Sequence, residues 1–349
     1  MKYSHTVIYW IKGLSPSQAE NSKEIIINLA VNFQLVLTSS PDTYCFEGDR
    51  HMAVAGLLLN GMFGLANSGT FEERLEETLL EIKESRKQKF GIGVYLIFLR
   101  RRKINTFSPS HERELESFVV CFDGASKQEI QLDSEPKIQA ALSALTLAID
   151  NVLGITKVSD SVVFFREDGK PIYSYTGLAG SAKLFVSQPI SISSVESLLH
   201  WYEIVDSDAE LERVNRLLLS SLQTEDDALR SFLFAWNALE IFINKIFGFY
   251  ELKFFEELNV GNYPNARRNY FERIRTVMKD KYKLADKFTL VAFMLCSEGV
   301  DQDSEKFKKI NKERNNLSHG QDVVETALPV EATQKMVRKY LQLHLGYLH

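Results

Sequence analysis

The chain has 349 residues, of which 45% are hydrophobic and 25% charged. That composition belongs to ordinary globular protein and excludes a disordered or low-complexity chain, and the length predicts roughly two domains. With 41 basic against 46 acidic side chains the formal net charge is −5. The surface is not basic overall, so any nucleic-acid contact must come from a local patch.

Cys45, Cys121 and Cys296 are odd in number, far apart and without a CxxC pair. They predict reduced thiols and a cytoplasmic location. The N-terminal stretch mixes charge with aromatics, so no leader is expected. The most apolar run, residues 53–66, is shorter than the ~20 residues a bilayer demands and is interrupted by Asn60. It is read as a buried core segment, and no membrane contact is expected.

Residues 1–190 alternate strand and helix patterns and predict an α+β domain. Apolar, β-branched and aromatic runs at 6–11, 24–37, 92–99, 118–122, 162–165 and 172–175 are bounded by turn residues, as strands are. Asp168-Gly169 between the last two signals a hairpin in which both positions tolerate positive φ. Helical spacing covers 71–89 (Leu75, Leu79, Ile82) and 136–153 (Ile138, Leu142, Leu145, Ile149), the second with Pro136 in its first turn. Arg100-Arg101-Arg102-Lys103 reads either as a phosphate-holding run or as a solvated strand end. The stretch 177–181 lacks the Lys-Ser/Thr pair of a phosphate-binding loop.

After Pro189 the texture becomes helical, at about 195–221, 225–249, 265–282, 284–298, 302–318 and 330–346. Short connections predict an all-α helical bundle over 191–349. The seven histidines are scattered without metal-ligand spacing. No metal and no cofactor are therefore expected, and His344 and His349 are read as surface residues.

Two of these helices carry the candidate chemistry. The helix at 225–249 is apolar nearly all round, so it should be central. Its Arg230, Asn237, Glu240 and Asn244 fall within a wedge of about 80°. Such a seam on a buried helix either forms a structural network or lines a site. On the helix at 302–318, Phe307, Ile310 and Leu317 define an inward face, and Arg314 projects into the same sector. An arginine there calls for a carboxylate, with Glu240 the candidate. His319 would lie about 140° from Arg314 in a continuous helix. Gly320 is a plausible C′ residue that ends the helix and lets the two side chains approach one cleft. The helix C-terminus would favour a protonated imidazole. Lys306, Lys308, Lys309 and Lys312 add a basic cluster, read either as an RNA-binding track or as a solvated face.

Arg314-Asn315-Asn316-Leu317-Ser318-His319 resembles the Arg-x4-His motif of the HEPN family (higher eukaryotes and prokaryotes nucleotide-binding). The stretch 236–240 looks like the earlier helix that supports the motif there. The resemblance covers about 195–349. Some toxin members carry Tyr two residues after the His, where this chain has Gln321. It implies a helical bundle, Arg314 and His319 as catalytic residues, and Asn237, Glu240 and Asn315 in support. Lys308, Lys309 and Lys312 would bind RNA. It also implies a homodimer that joins two motifs, and a toxin or anti-phage effector. The reaction would be metal-independent RNA cleavage by 2′-hydroxyl attack, giving a 2′,3′-cyclic phosphate. Residues 1–190 would then sense a trigger, restrain the nuclease or select substrate. The alternative is a silent module for nucleotide or protein binding, with Arg314 and Glu240 a structural pair. A third reading puts the principal activity in the first domain.

Overall fold

The computed structural model describes residues 2–15, 24–62, 69–90, 93–103, 114–115, 118–119, 127–149, 152, 154–169, 171–178, 188–189, 192–207, 211–224, 227–258, 265–278, 281–296, 298–321 and 323–348. Cys121 and His349 lie outside them, as do parts of the runs 53–66, 118–122 and 177–181. The chain divides into two compact units, 1–140 with 151–196, and 141–150 with 197–349. The expected boundary at 190 thus falls a few residues early. It also overlooks that 141–150 belong with the helical unit.

The first unit contains β1 (Lys2–Lys12), β2 (Leu14–Ser15), β3 (Ile25–Ala30), β4 (Phe33–Thr38), α1 (Asp42–Met62), α2 (Phe71–Phe90), β5 (Val94–Lys103), β6 (Glu114–Leu115) and β7 (Phe118–Val119). After α3 (Lys127–Ala148), which runs on into the second unit, come β8 (Gly154–Phe165), β9 (Pro171–Leu178) and β10 (Gln188–Pro189). Six strands form an antiparallel sheet in the order β3-β4-β5-β1-β8-β9. β1 is central, and Val7, Ile8, Tyr9, Trp10 and Ile11 are all buried in succession. A strand buried on alternate side chains of both faces must be covered on both. On one face Ile8, Trp10, Val36, Tyr95 and Ile97 pack with Cys45 of α1 and Phe90 of α2. On the other, α3 brings Ser134 to 3.0 Å from His5 and Asp133 to 2.5 Å from Arg100.

Three local features depart from expectation. The run 24–37 is a hairpin of two strands, turned at Asn32, whose φ of 62° makes it the one left-handed non-glycine among the described residues. Asn tolerates that region because its short side chain bonds locally. Among the described residues of the β8–β9 turn only Gly169 has positive φ (86°), so Asp168 does not share the strain expected of it. α3 begins at Lys127, which places Pro136 inside the helix and not in its first turn. The carbonyl deprived of a partner belongs to Leu132, which is 71% exposed, so water can satisfy it.

The described part of the apolar run at 53–66 is not a core segment. Ala53 and Val54 are buried, but 55–58 are half-buried and Leu59 is 54% exposed, where α1 ends. α1 also buries charge. Asp49 receives both Nη2 contacts of Arg86 from α2, at 2.6 and 2.5 Å, with Asp42 a further 3.5 Å contact.

The second unit holds α4 (Ile192–Ser207) from Ser197 onward, α5 (Glu212–Gln223), α6 (Ala228–Leu258), α7 (Asn265–Met278), α8 (Leu284–Leu295), α9 (Val300–Ser318) and α10 (Val330–Leu348). The single helix expected at 195–221 is two, the first ending at Ser207 and the second starting at Glu212. α6 packs against α5, α8 and α10 and buries Phe232, Trp236, Leu239, Phe242 and Tyr250. By length and hydropathy it is the one described helix that qualifies to cross a membrane, but half of its apolar window is buried inside the fold. His344 is also interior, at 6% exposure, with Nδ1 2.8 Å from the Tyr250 hydroxyl. Its expected surface position fails because α10 turns that face onto α6.

Breaking a buried ion pair from one side leaves the other charge without compensation, at about 3–5 kcal/mol. Asp49→Ala is therefore expected to destabilise the first unit by about that amount in urea unfolding. Asp42→Ala, which removes the 3.5 Å contact to Arg86 and a more exposed pair with Lys83 at 2.9 Å, costs less.

Candidate functional site

Residue spacing and ring stacking together aim α9. Phe307 stacks on Phe288 of α8 (ring centroids 4.3 Å apart, planes within 8°) and leans on Trp236 of α6 at 5.7 Å. Arg314 follows seven residues later, about 20° from Phe307 around the helix. It therefore projects toward α6 at the margin of the core. Its Nη2 lies 3.9 Å from Glu240 Oε2, with the side chains 38% and 35% exposed. The same carboxylate oxygen accepts the Trp236 indole N–H at 2.9 Å, which fixes the glutamate from the core side.

Arg314 also folds over the last turn of its own helix. Nη1 donates to Asn315 Oδ1 at 3.2 Å and reaches the Ser318 hydroxyl at 3.4 Å. Ser318 in turn donates back to the Arg314 carbonyl at 2.8 Å. Sequence reasoning overlooked Ser318, although its i+4 spacing from Arg314 was the available signal.

The helix ends as Gly320 predicts. Gly320 has φ 67° and its N–H bonds the Leu317 carbonyl at 3.1 Å, while Gln321 N–H bonds the Asn316 carbonyl at 3.0 Å. This pair of bonds is the Schellman arrangement, with Gly at C′. His319 is the C-cap, with φ −91° and ψ 9°, and its imidazole is exposed. Arg314 and His319 thus occupy one helix end, both open to solvent.

The remaining candidates divide. Asn315 joins Arg314. Asn237 is exposed one turn before Glu240 and makes no hydrogen bond to the pair. The supposed buried seam is a correction. Arg230, Asn237 and Asn244 are exposed, and Leu233 shares that face at 38% exposure, so α6 has a solvent side. Its polar groups find local partners: Arg230 with Asp227 at 3.9 Å, and Asn244 between the Glu240 carbonyl and Lys287. Lys308 is engaged by Glu305 at 2.7 Å and Lys306 by Asp303 at 3.7 Å. Lys309 and Lys312 are exposed and have no ion pair among the described residues.

A serine–histidine–aspartate constellation exists in the first unit, unseen from sequence because its members are 129 and 155 residues apart. His5 bonds Ser134 at 3.0 Å through Nδ1 and Asp160 at 3.1 Å through Nε2. Ser134 is fully buried, its hydroxyl donating to the Ile130 carbonyl and accepting from Arg100. No substrate reaches it, so the cluster is structural. Burial pushes the Asp160 carboxyl up, but bonds from His5 and Lys157 outweigh that and hold it well below the usual carboxylate range. Among the described residues no group of three His, Cys, Asp or Glu is placed to hold a metal ion.

Comparison of the chain with protein-family models, curated proteins and solved structures returns no match.

Two measurements follow from this geometry. A residue with a Cβ in the left-handed region costs about 1–2 kcal/mol. Gly320→Ala is thus expected to lower the urea-unfolding free energy by about 1 kcal/mol, although open space surrounds the position. A depressed carboxylate stabilises the fold fully above its unfolded pKa, about 3.9, and that stability drains away as pH falls below it. Asp160→Asn should therefore flatten the acid limb of the stability curve below about pH 4, measured by thermal melts across pH.

Proposed function

We propose that the second unit is a metal-independent endoribonuclease of HEPN type, acting as a homodimer on RNA. The observation that carries this reading is the half-exposed Arg314 guanidinium, held by Glu240 and resting on Ser318, the residue before the exposed His319 cap. It joins the motif resemblance in 314–319 to a solvent-open helix end.

The chemistry needs few groups. In RNA the 2′-oxygen attacks phosphorus, the bond from phosphorus to the 5′-oxygen breaks, and a 2′,3′-cyclic phosphate and a 5′-hydroxyl result. The 2′-hydroxyl proton goes to a base, and the departing 5′-oxygen takes a proton from an acid. Arg314 would stabilise the charge that builds on the phosphoryl oxygens through its planar fork. His319 would serve as base or acid, and the second imidazole would come from the partner copy. Lys309 and Lys312 would follow the phosphate backbone. Lys308, already neutralised by Glu305, would contribute less. The activity would belong to a cytoplasmic toxin or anti-phage effector, with the first unit restraining it or selecting substrate.

The Arg314–Glu240 contact itself favours a second reading, in which the pair is structural and the module binds nucleotide or protein without cutting. Purified protein should cleave RNA in chelator, leave the DNA of the same sequence intact, and yield cyclic-phosphate ends. His319→Ala and Arg314→Ala should each lower the rate by about 100-fold or more with the circular dichroism unchanged. Diverse RNAs left whole by the wild type, or equal cutting by His319→Ala, would overturn the nuclease in favour of the silent module.

A further inference from the structure

The register of the central strands in the first unit builds a second candidate site. β1 and β5 are antiparallel with Lys2 opposite Lys103, Ser4 opposite Arg101 and Thr6 opposite Leu99. On its other side β1 sets Phe165, Val163 and Ser161 against the same three residues. Alternate positions share a face, so these nine side chains form a patch of three rows across three strands. One corner of the patch is cationic, one edge is apolar, and hydroxyls lie toward the middle. Thr43, Tyr44 and Glu47 of α1 wall it, enclosing a cleft of about 730 Å³. That volume suits a small-molecule ligand.

The charges of the patch are unbalanced. Like charges directly opposite on an antiparallel pair destabilise it, yet Lys2 faces Lys103 with Arg101 one step along. All three are exposed, and none has an ion pair among the described residues. The neighbouring arginines are already committed, because Arg100 and Arg102 both reach Asp133 on the opposite face of the sheet. The alternation of β5 thus divides the run 100–103 into two arginines that share Asp133 on one face and two cations left open on the other. Burial pushes the Glu47 carboxyl up, and its Oε2 is buried with no hydrogen-bond partner among the described residues. Tyr44 is fixed beside it by a 2.8 Å bond from its hydroxyl to Glu24.

We infer that this cleft binds a phosphorylated small molecule of nucleotide size. The three cations meet the phosphate with charge-assisted bonds. Tyr44 and Phe165 offer surface to an apolar or aromatic body, and Glu47 accepts a donor that a bare phosphate does not have. This inference stands independently of the nuclease reading, since it rests on other residues and on binding alone.

The test is titration calorimetry of the full chain at low salt with AMP, ATP, inorganic phosphate and a short RNA oligonucleotide. AMP or ATP should bind more tightly than phosphate, with affinity falling as salt rises. Arg101→Glu and Lys103→Glu should each weaken that binding by about 10-fold or more. Both positions are exposed, and unchanged circular dichroism would show that the fold survives. Glu47→Ala should lose the preference for nucleotide over phosphate. Absence of binding by AMP and ATP at millimolar concentration overturns the inference. So do equal affinities for AMP and phosphate in the wild type, binding of the RNA alone, or nucleotide affinity unchanged by the charge reversals.

Discussion

The placement of Phe307 is the constraint on which the geometry of the second unit's candidate site depends. Stacked on Phe288 and leaning on Trp236, it leaves α9 little freedom to rotate about its own axis. Aromatic pairs prefer particular geometries, so this contact specifies an orientation as well as burying area. A rotation of one residue step, about 100°, would carry Arg314 away from Glu240 and into solvent. Trp236 acts twice in this arrangement. Its ring braces Phe307, and its N–H fixes the carboxylate that Arg314 approaches. Core packing and the candidate site are thus built from the same residues.

The first unit depends in a comparable way on β1, which is buried on both faces and flanked by β5 and β8. A one-residue slip in its register would exchange every face. It would bring Lys2 and Ser4 to the side of α3, and carry His5 off Ser134 and Asp160. The polar network at His5 therefore specifies register as well as satisfying buried groups. The same register keeps Arg100 paired while leaving Arg101 and Lys103 open.

What could be read from the chain follows from how local each signal is. Five of the six helices expected after residue 190 exist as single helices, four near their predicted bounds and α6 running nine residues past its expected end, because 3.6-residue periodicity and Gly320 are features of neighbouring residues. The end of α9 was legible for the same reason, since a C′ glycine acts within one turn. The environment of a helix was less legible. Apolar composition over 225–249 suggested burial all round, but Leu233 and Phe249 are exposed and the polar wedge faces water. The side that is covered depends on neighbours far along the chain. His344 shows the converse, a polar residue drawn inside by Tyr250, 94 positions away. The cluster of His5, Ser134 and Asp160 and the pairing of Arg100 with Asp133 required the sheet and α3 to be assembled first. At the candidate site, Arg314 and Glu240 were legible because Glu240 lies one turn from Trp236 and Arg314 two turns from Phe307, each on the same face as an aromatic core position. Ser318 was not, because a serine in a last turn has several possible local partners.

The contact between Arg314 and Glu240 bears on how a phosphate would enter the proposed nuclease site. Two side chains more than a third exposed and 3.9 Å apart form an ion pair of little net strength. Short charge-assisted bonds from guanidinium to phosphate are stronger than a long contact of that kind. A phosphodiester could thus draw the guanidinium from Glu240 at small cost, while the carboxylate stays anchored by the Trp236 N–H. A buried bidentate pair such as Arg86 with Asp49 offers no such exchange, because separating its partners strands a charge in the interior. These two arginine–carboxylate pairs are therefore of opposite character, and burial, more than sequence spacing, determines which one has a guanidinium to lend.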